Sequence, residues 1–197
     1  GEIESMVSSQ DTYLADERIP QWMADVVRVC GDRLRETERG FLARSLLSDQ
    51  KAWEDMFGAS VDVSGVGVER NVFRYRPTEV HVRISSLTPL AESLRVILAG
   101  IRAGARIHVS TTDPLPSEAV EMLTSGTDGH PALASYTEES ELSFVERLRL
   151  SPPERIRLLG GNQSVMNVHF DGNPAVAVWG HAVTEAGRVE MLPFLLE

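Results

Sequence analysis

The stretch "ILAGIRAGARIHVSTTDPLP", Ile97 to Pro116, decides the fold. It reads as the end of an amphipathic helix, a glycine hinge at Gly104, a short strand "RIHVS", and a loop marked by Pro114 and Pro116. Upstream, Thr88 and Pro89 form a helix start, and Leu87, Leu90, Leu94, Ile97 and Ile101 make an apolar stripe. Before that helix, "EVHVRISS" places Val80, Val82 and Ile84 on one strand face. Helix after strand and strand after helix predict parallel pairing through a crossover.

The pattern continues outward. "SEAVEML" is a short helix capped by Ser117, "SELSFVERLRL" another helix, and "RIRLL" a strand beyond Pro152 and Pro153. "SVMNVHF", "AVAVWG" and "RVEMLPFLL" read as further strands, with "TEAG" as a hairpin turn before the last. "NVFRYRP", through Val72, Phe73 and Tyr75, is a strand leading in. Towards the N-terminus the period returns to 3.6: Trp22, Val26, Val29, Cys30 and Leu34 mark one helix, and a second runs from about Glu36 to Phe57. The expected organisation is a polar tether over 1–15, a helical linker over 16–58, and an α/β domain over 59–197 with a mostly parallel, Rossmann-like sheet and a C-terminal hairpin or flap.

Composition narrows the functions. The chain has 197 residues, is 42% hydrophobic and carries a formal net charge of −10, so a broad basic surface for nucleic acid is excluded. Lys51 is the only lysine beside eighteen arginines, which leaves no P-loop or Schiff-base lysine elsewhere. A single cysteine, Cys30, excludes an intrachain disulfide and points to a reducing, cytoplasmic setting. No apolar run reaches membrane-spanning length, and the acidic start "GEIESMVSSQ" does not resemble a signal peptide. The opening Gly1 and the ending "LPFLLE" point to a piece of a longer chain.

Local motifs carry little chemistry. Cys30 lies on the apolar stripe of its helix and reads as packing, not as a nucleophile. His81, His108, His169 and His181 show no HxH or HExxH spacing, so no metal site is expected, and His130 is a loop residue. Ser48 and Lys51 match Ser-x-x-Lys without its partner motifs. The glycines Gly65 and Gly67 precede a strand, where a phosphate loop must follow one. Glu138 to Glu141 reads as acid at a helix start.

The segment from Val80 to Leu123, "ISSLTPLAESLRVILAGIRAGARIHVSTTDPLPSEAVEML" at its centre, resembles the cofactor domain of the aldehyde dehydrogenase superfamily. There a Pro-Trp-Asn loop starts a helix, and a strand then leads to a Lys-Pro-Ser-Glu turn. "SYTEESELSFVERL" is similar to the family's Phe-Thr-Gly-Ser-Thr element, and "RIRLLGGNQS" to its Glu-Leu-Gly-Gly-Lys strand. The resemblance implies that each functional position has been replaced. Leu87, Thr88 and Pro89 stand for Pro-Trp-Asn, and Thr111 or Thr112 for the ribose-binding lysine. Glu138 and Glu139 replace Gly-Ser, where carboxylates would repel a pyrophosphate. Leu158 stands for the general-base glutamate, Asn162 for the following lysine, and no downstream cysteine exists.

"GVGVERNVFRYRPTEVHV" and "VTEAGRVEMLPFLLE" resemble the junction and end of the degenerate C-terminal domain of bifunctional proline utilization flavoenzymes of the actinobacterial type. These join a proline dehydrogenase to an L-glutamate gamma-semialdehyde dehydrogenase. The resemblance implies a chain without catalytic residues or a cofactor of its own, in a parent that uses FAD and NAD. It implies a lid over the substrate-channelling passage and an assembly scaffold. The implied partners are the parent's catalytic domains, with a homo-oligomer possible through the terminal hairpin. Two rivals remain: half of an active NAD-dependent aldehyde dehydrogenase cut before its cysteine, and an independent α/β ligand-binding module.

Overall fold

The computed structural model describes residues 14–58, 61–62, 72–126 and 130–197. The tether (but for its last residues) and the glycines of the 59–71 connector lie outside them. Leu14 is already buried, and its carbonyl accepts a hydrogen bond from Arg28 (3.0 Å), so the packed chain begins earlier than residue 16.

Four of the sheet's strands form where expected, and Ser135–Glu138 adds one the sequence pattern does not announce. β4 (Glu79–Ile84), β5 (Arg106–Thr111), β6 (Ser135–Glu138), β7 (Arg155–Leu159) and β8 (Ala177–Trp179) make a parallel sheet in the order β6-β5-β4-β7-β8. The first strand of the unit lies at the centre, and the chain winds first to one side and then to the other. Ahead of this sheet, β1 (Val61–Asp62) pairs with β2 (Val72–Phe73) in a two-residue antiparallel ladder, and β3 is Arg76–Pro77.

The period-2 pattern sets the layers. Val80, Val82, Ile84, Ile107 and Val109 point into the larger core. There they meet α1 (Gln21–Val29), α2 (Glu36–Ala52), α3 (Leu90–Arg102) and α4 (Ser117–Ser125). Burial of Leu94 and Ile97 on the inner stripe of α3 contributes about 1.5–3 kcal/mol each. The helices read as a linker therefore share one core with the sheet. On the opposite face α5 (Glu141–Arg149) and α6 (Gln163–His169) enclose a smaller core of Phe144, Leu148, Ile156, Leu158, Met166 and Phe170.

Three local readings are corrected. "SVMNVHF" is helix α6, because Asn162 accepts hydrogen bonds from the backbone N–H groups of Ser164 and Val165 and so caps a helix start. Ser117 is the first residue of α4, with Pro116 ahead of it as the cap. The terminal hairpin is absent. "RVEMLPFLL" instead forms α7 (Gly187–Glu190), a 3-10 turn (Leu192–Phe194) and β9 (Leu195–Leu196), and β9 pairs antiparallel with β3.

Two buried ion pairs explain the difference. Arg157 donates to Glu190 (2.9 and 2.7 Å), and Glu190 also accepts from the backbone N–H of Thr184 (3.0 Å). Arg95 donates to both oxygens of Asp49 (2.7 and 2.8 Å) and to the carbonyl of Thr184 (2.8 Å). These charges anchor the tail to α3, α2 and β7, where leaving one unpaired costs several kcal/mol. Gly187 permits the contact, since a Cβ there would lie 2.6 Å from the carbonyl oxygen of Ser48.

No helix among the described residues is long and apolar enough to cross a membrane.

Candidate functional site

In a doubly wound sheet, ligands bind beyond the carboxyl ends of the strands, near the point where the winding reverses. Here that point lies between β4 and β7. The loop after β4 closes it: Ser85 N–H donates to the carbonyl of Leu159 (2.9 Å), and Thr88 Oγ1 donates to the carbonyl of Ser85 (2.7 Å). Gly160 has φ +69°, and a Cβ on it would meet Thr88 Oγ1 at 2.4 Å. Thr88 therefore fills the crevice, and no side-chain amide faces it from the Leu87-Thr88-Pro89 segment.

Beside it, over the ends of β4 and β5, a cleft of about 310 Å³ remains, lined by Ile84, Ser85, Thr88, Thr111, Asp113 and Arg33 among others. Thr111 is buried and its hydroxyl donates to the carbonyl of Asp113. Asp113 accepts from Ser86 Oγ and from the backbone N–H of Leu87, both at 3.0 Å. Thr111 and Asp113 are thus both engaged by hydrogen bonds within the loops that line the cleft.

One strand over, ahead of α5, a denser set of contacts is found. Arg83 is fully buried on β4. Its Nη1 donates to Ser110 Oγ (2.8 Å) and to the carbonyl of Glu139 (3.0 Å), and its Nη2 donates to Thr112 Oγ1 (2.6 Å). Ser110 Oγ donates to Glu139 Oε1 (2.8 Å), and Arg147, on α5, donates to both carboxylate oxygens of Glu139. Burial opposes ionisation of Glu139, but Arg147 and Ser110 outweigh it and hold the carboxyl below its ordinary range. Burial likewise pulls Arg83 down, against the nearby Glu141 and Glu139. The result is a hydrogen-bonded plug across the ends of β4, β5 and β6, built on the Glu139–Arg147 ion pair and the buried Arg83 guanidinium, whose Nε has no partner.

The other expected positions are separate from this plug. Glu138 ends β6 and is exposed; Leu158 is buried in the second core; Asn162 is occupied in capping α6. Cys30 is buried, which pushes its thiol up to about 11 and makes it a poor nucleophile. Ser48 accepts from the N–H of Gly187 and Lys51 pairs with Asp55, so the Ser-x-x-Lys pair makes no joint site.

One grouping was not visible as a local motif. Parallel pairing sets His81 opposite His108, with rings stacked at 4.6 Å between centroids, and Glu79 joins them.

A central strand flanked on both sides by later ones, with helices on both faces, defines the Rossmann-type class of dehydrogenase folds. Among solved structures, the chain is similar to Proline Utilization A (PutA) from Corynebacterium freiburgense. The identity is 23% and the TM-score 0.54, over 90% of this chain and 14% of that one. A 3,6-anhydro-L-galactose dehydrogenase in complex with NAP matches at 16% identity and a TM-score of 0.49, over 86% of this chain and 40% of that one. The chain thus spans a minor part of either structure. No family model and no curated protein matches it.

Proposed function

We propose that this chain is a non-catalytic, aldehyde-dehydrogenase-like domain of a larger bifunctional proline-catabolic enzyme, serving as lid of a substrate-channelling passage and as an assembly scaffold. The observation that carries the non-catalytic reading is the Arg83–Glu139–Arg147 plug. An ion pair and a buried guanidinium there support this reading, because a dinucleotide pyrophosphate would need free backbone donors in their stead. The likeness to PutA supports the parent, whose FAD and NAD would be held by its other domains. The partners are then the parent's catalytic domains. Titration of the chain with NAD and NADP, followed by tryptophan fluorescence, tests it: no saturable change is expected. Micromolar binding, or turnover of glutamate semialdehyde by the chain alone, overturns it.

The cleft beside Thr111 favours a second reading, an α/β module that binds a small ligand on its own. A ligand that raises the melting temperature of the chain, with loss of that shift in Thr111→Val, would support it.

A further inference from the structure

We propose that Glu79, His81 and His108 form a binding site for a divalent transition-metal ion of the zinc class, on the face of the sheet that carries the smaller core, towards the amino ends of β4 and β5. This site is on the opposite side of the sheet from α3 and away from the crevice at the carboxyl ends.

The geometry begins with register. Glu79 and His81 share one face of β4 by the period of two, and His81 is paired with His108 on β5. One donor atom from each of the three side chains lies within 4.8 Å of the other two. His108 Nδ1 is 2.8 Å from Ser135 Oγ on β6, which occupies that nitrogen. His108 Nε2 is buried without a hydrogen-bond partner, 3.4 Å from Glu79 Oε1. Zinc holds nitrogen and oxygen donors about 2.0–2.2 Å away, so tetrahedral donors lie about 3.3–3.5 Å apart. The His108–Glu79 separation already meets that requirement. His81 is stacked on His108 with the rings 11° from parallel, so its ring must rotate out of the stack to bring a nitrogen and its ring plane onto the ion.

The surroundings support the assignment. The serine that fixes one nitrogen of His108 plays the part that outer partners play at metal-bound histidines. Arg106 pairs with Glu79 Oε2 (3.2 Å), leaving Oε1 turned towards the histidines. A cleft of about 370 Å³, lined by Glu79, His81 and Ser151 to Glu154, borders the group and has room for a fourth ligand from solvent. Two imidazoles and one carboxylate favour zinc, nickel, cobalt or copper over magnesium and calcium.

The test uses the full chain stripped by a chelator and titrated with Zn²⁺ in a calorimeter, with Co²⁺ as a visible-absorption probe. We expect one Zn²⁺ per chain at micromolar affinity or tighter, d–d absorption with Co²⁺, and no heat with Mg²⁺. His108→Ala and Glu79→Gln should each weaken Zn²⁺ binding by at least about tenfold, while His130→Ala should leave it unchanged. Glu79 is half-exposed, so its variant retains the fold even if a histidine variant does not, and circular dichroism verifies this. Absence of saturable Zn²⁺ binding overturns the proposal, as does binding that Glu79→Gln leaves intact or that His130→Ala abolishes.

Discussion

The two ends of one sheet differ in how their polar side chains are used. At the carboxyl end, Arg83, Ser110, Thr112, Glu139 and Arg147 bond to one another across three strands and a helix. At the amino end, Glu79, His81 and His108 lie together, yet His108 Nε2 has no hydrogen-bond partner. Buried polar atoms without partners are costly. The carboxyl end meets most of its needs internally, leaving Arg83 Nε and Ser85 Oγ without partners. The amino end leaves His108 Nε2 without one, at the place where the metal ion is proposed to bind.

The contrast is broken most forcefully at Arg83. Arg83→Met keeps the volume of the stem but removes three hydrogen bonds, leaving the Glu139 carbonyl and the hydroxyls of Ser110 and Thr112 without this donor. We expect a loss of about 2–4 kcal/mol, towards the lower end because Arg147 still neutralises Glu139. Urea unfolding would show it as a lower midpoint at unchanged slope. His81→Gln at the other end should change metal-free stability by less than about 1 kcal/mol. Equal losses at the two ends would remove the distinction.

Acid should act mainly at the amino end. His81 faces His108, Glu79, Glu139 and Arg147, while Arg106 lies beside Glu79 and His108. The folded state takes up the His81 proton only near 4, against 6.5 for the free imidazole. Between those values the unfolded chain binds more protons, so stability present above about pH 6.5 is lost as pH falls towards 4. With the ring partly solvated, the loss is about 1–2 kcal/mol, and denaturant midpoints at pH 7 and 4.5 measure it. In His81→Gln the drop should shrink; an undiminished drop would assign it to other groups.

How far these regions could be read from sequence follows from which contacts are local. β4, α3 and β5 were legible because Val80, Val82 and Ile84 alternate and Leu94 and Ile97 keep helical spacing with Pro89 before and Gly104 after. α6 was not, since Val165 and Val168 are solvent-facing and give the helix no apolar stripe, and Asn162 caps it through its side chain. The tail misled because its shape depends on Arg157–Glu190 and Arg95–Asp49, pairs 33 and 46 residues apart. At the site, Thr112 and Glu139 could be picked out, but not that Arg83 and Arg147 bond to them. His81 and His108 are 27 apart and meet only through strand register, so no spacing motif announces them.

The smallest expected effect lies in the loop after β4, at the carboxyl end. Leu87 has φ +64° and is 92% exposed, and its N–H is held by Asp113. A left-handed conformation crowds the Cβ of any L-residue except glycine, and an exposed side chain has little packing to offset that. Glycine removes the crowding but adds freedom to the unfolded chain. The balance predicts that Leu87→Gly raises stability by about 0.5–1 kcal/mol. Leu87→Ala keeps the Cβ and should shift stability by no more than about 0.5 kcal/mol. Thermal unfolding of the two variants separates strain from surface hydrophobicity. If alanine stabilises as much as glycine, the gain comes from removing an exposed apolar side chain and the loop is unstrained. If glycine alone does, the loop after β4 holds its backbone turn under strain.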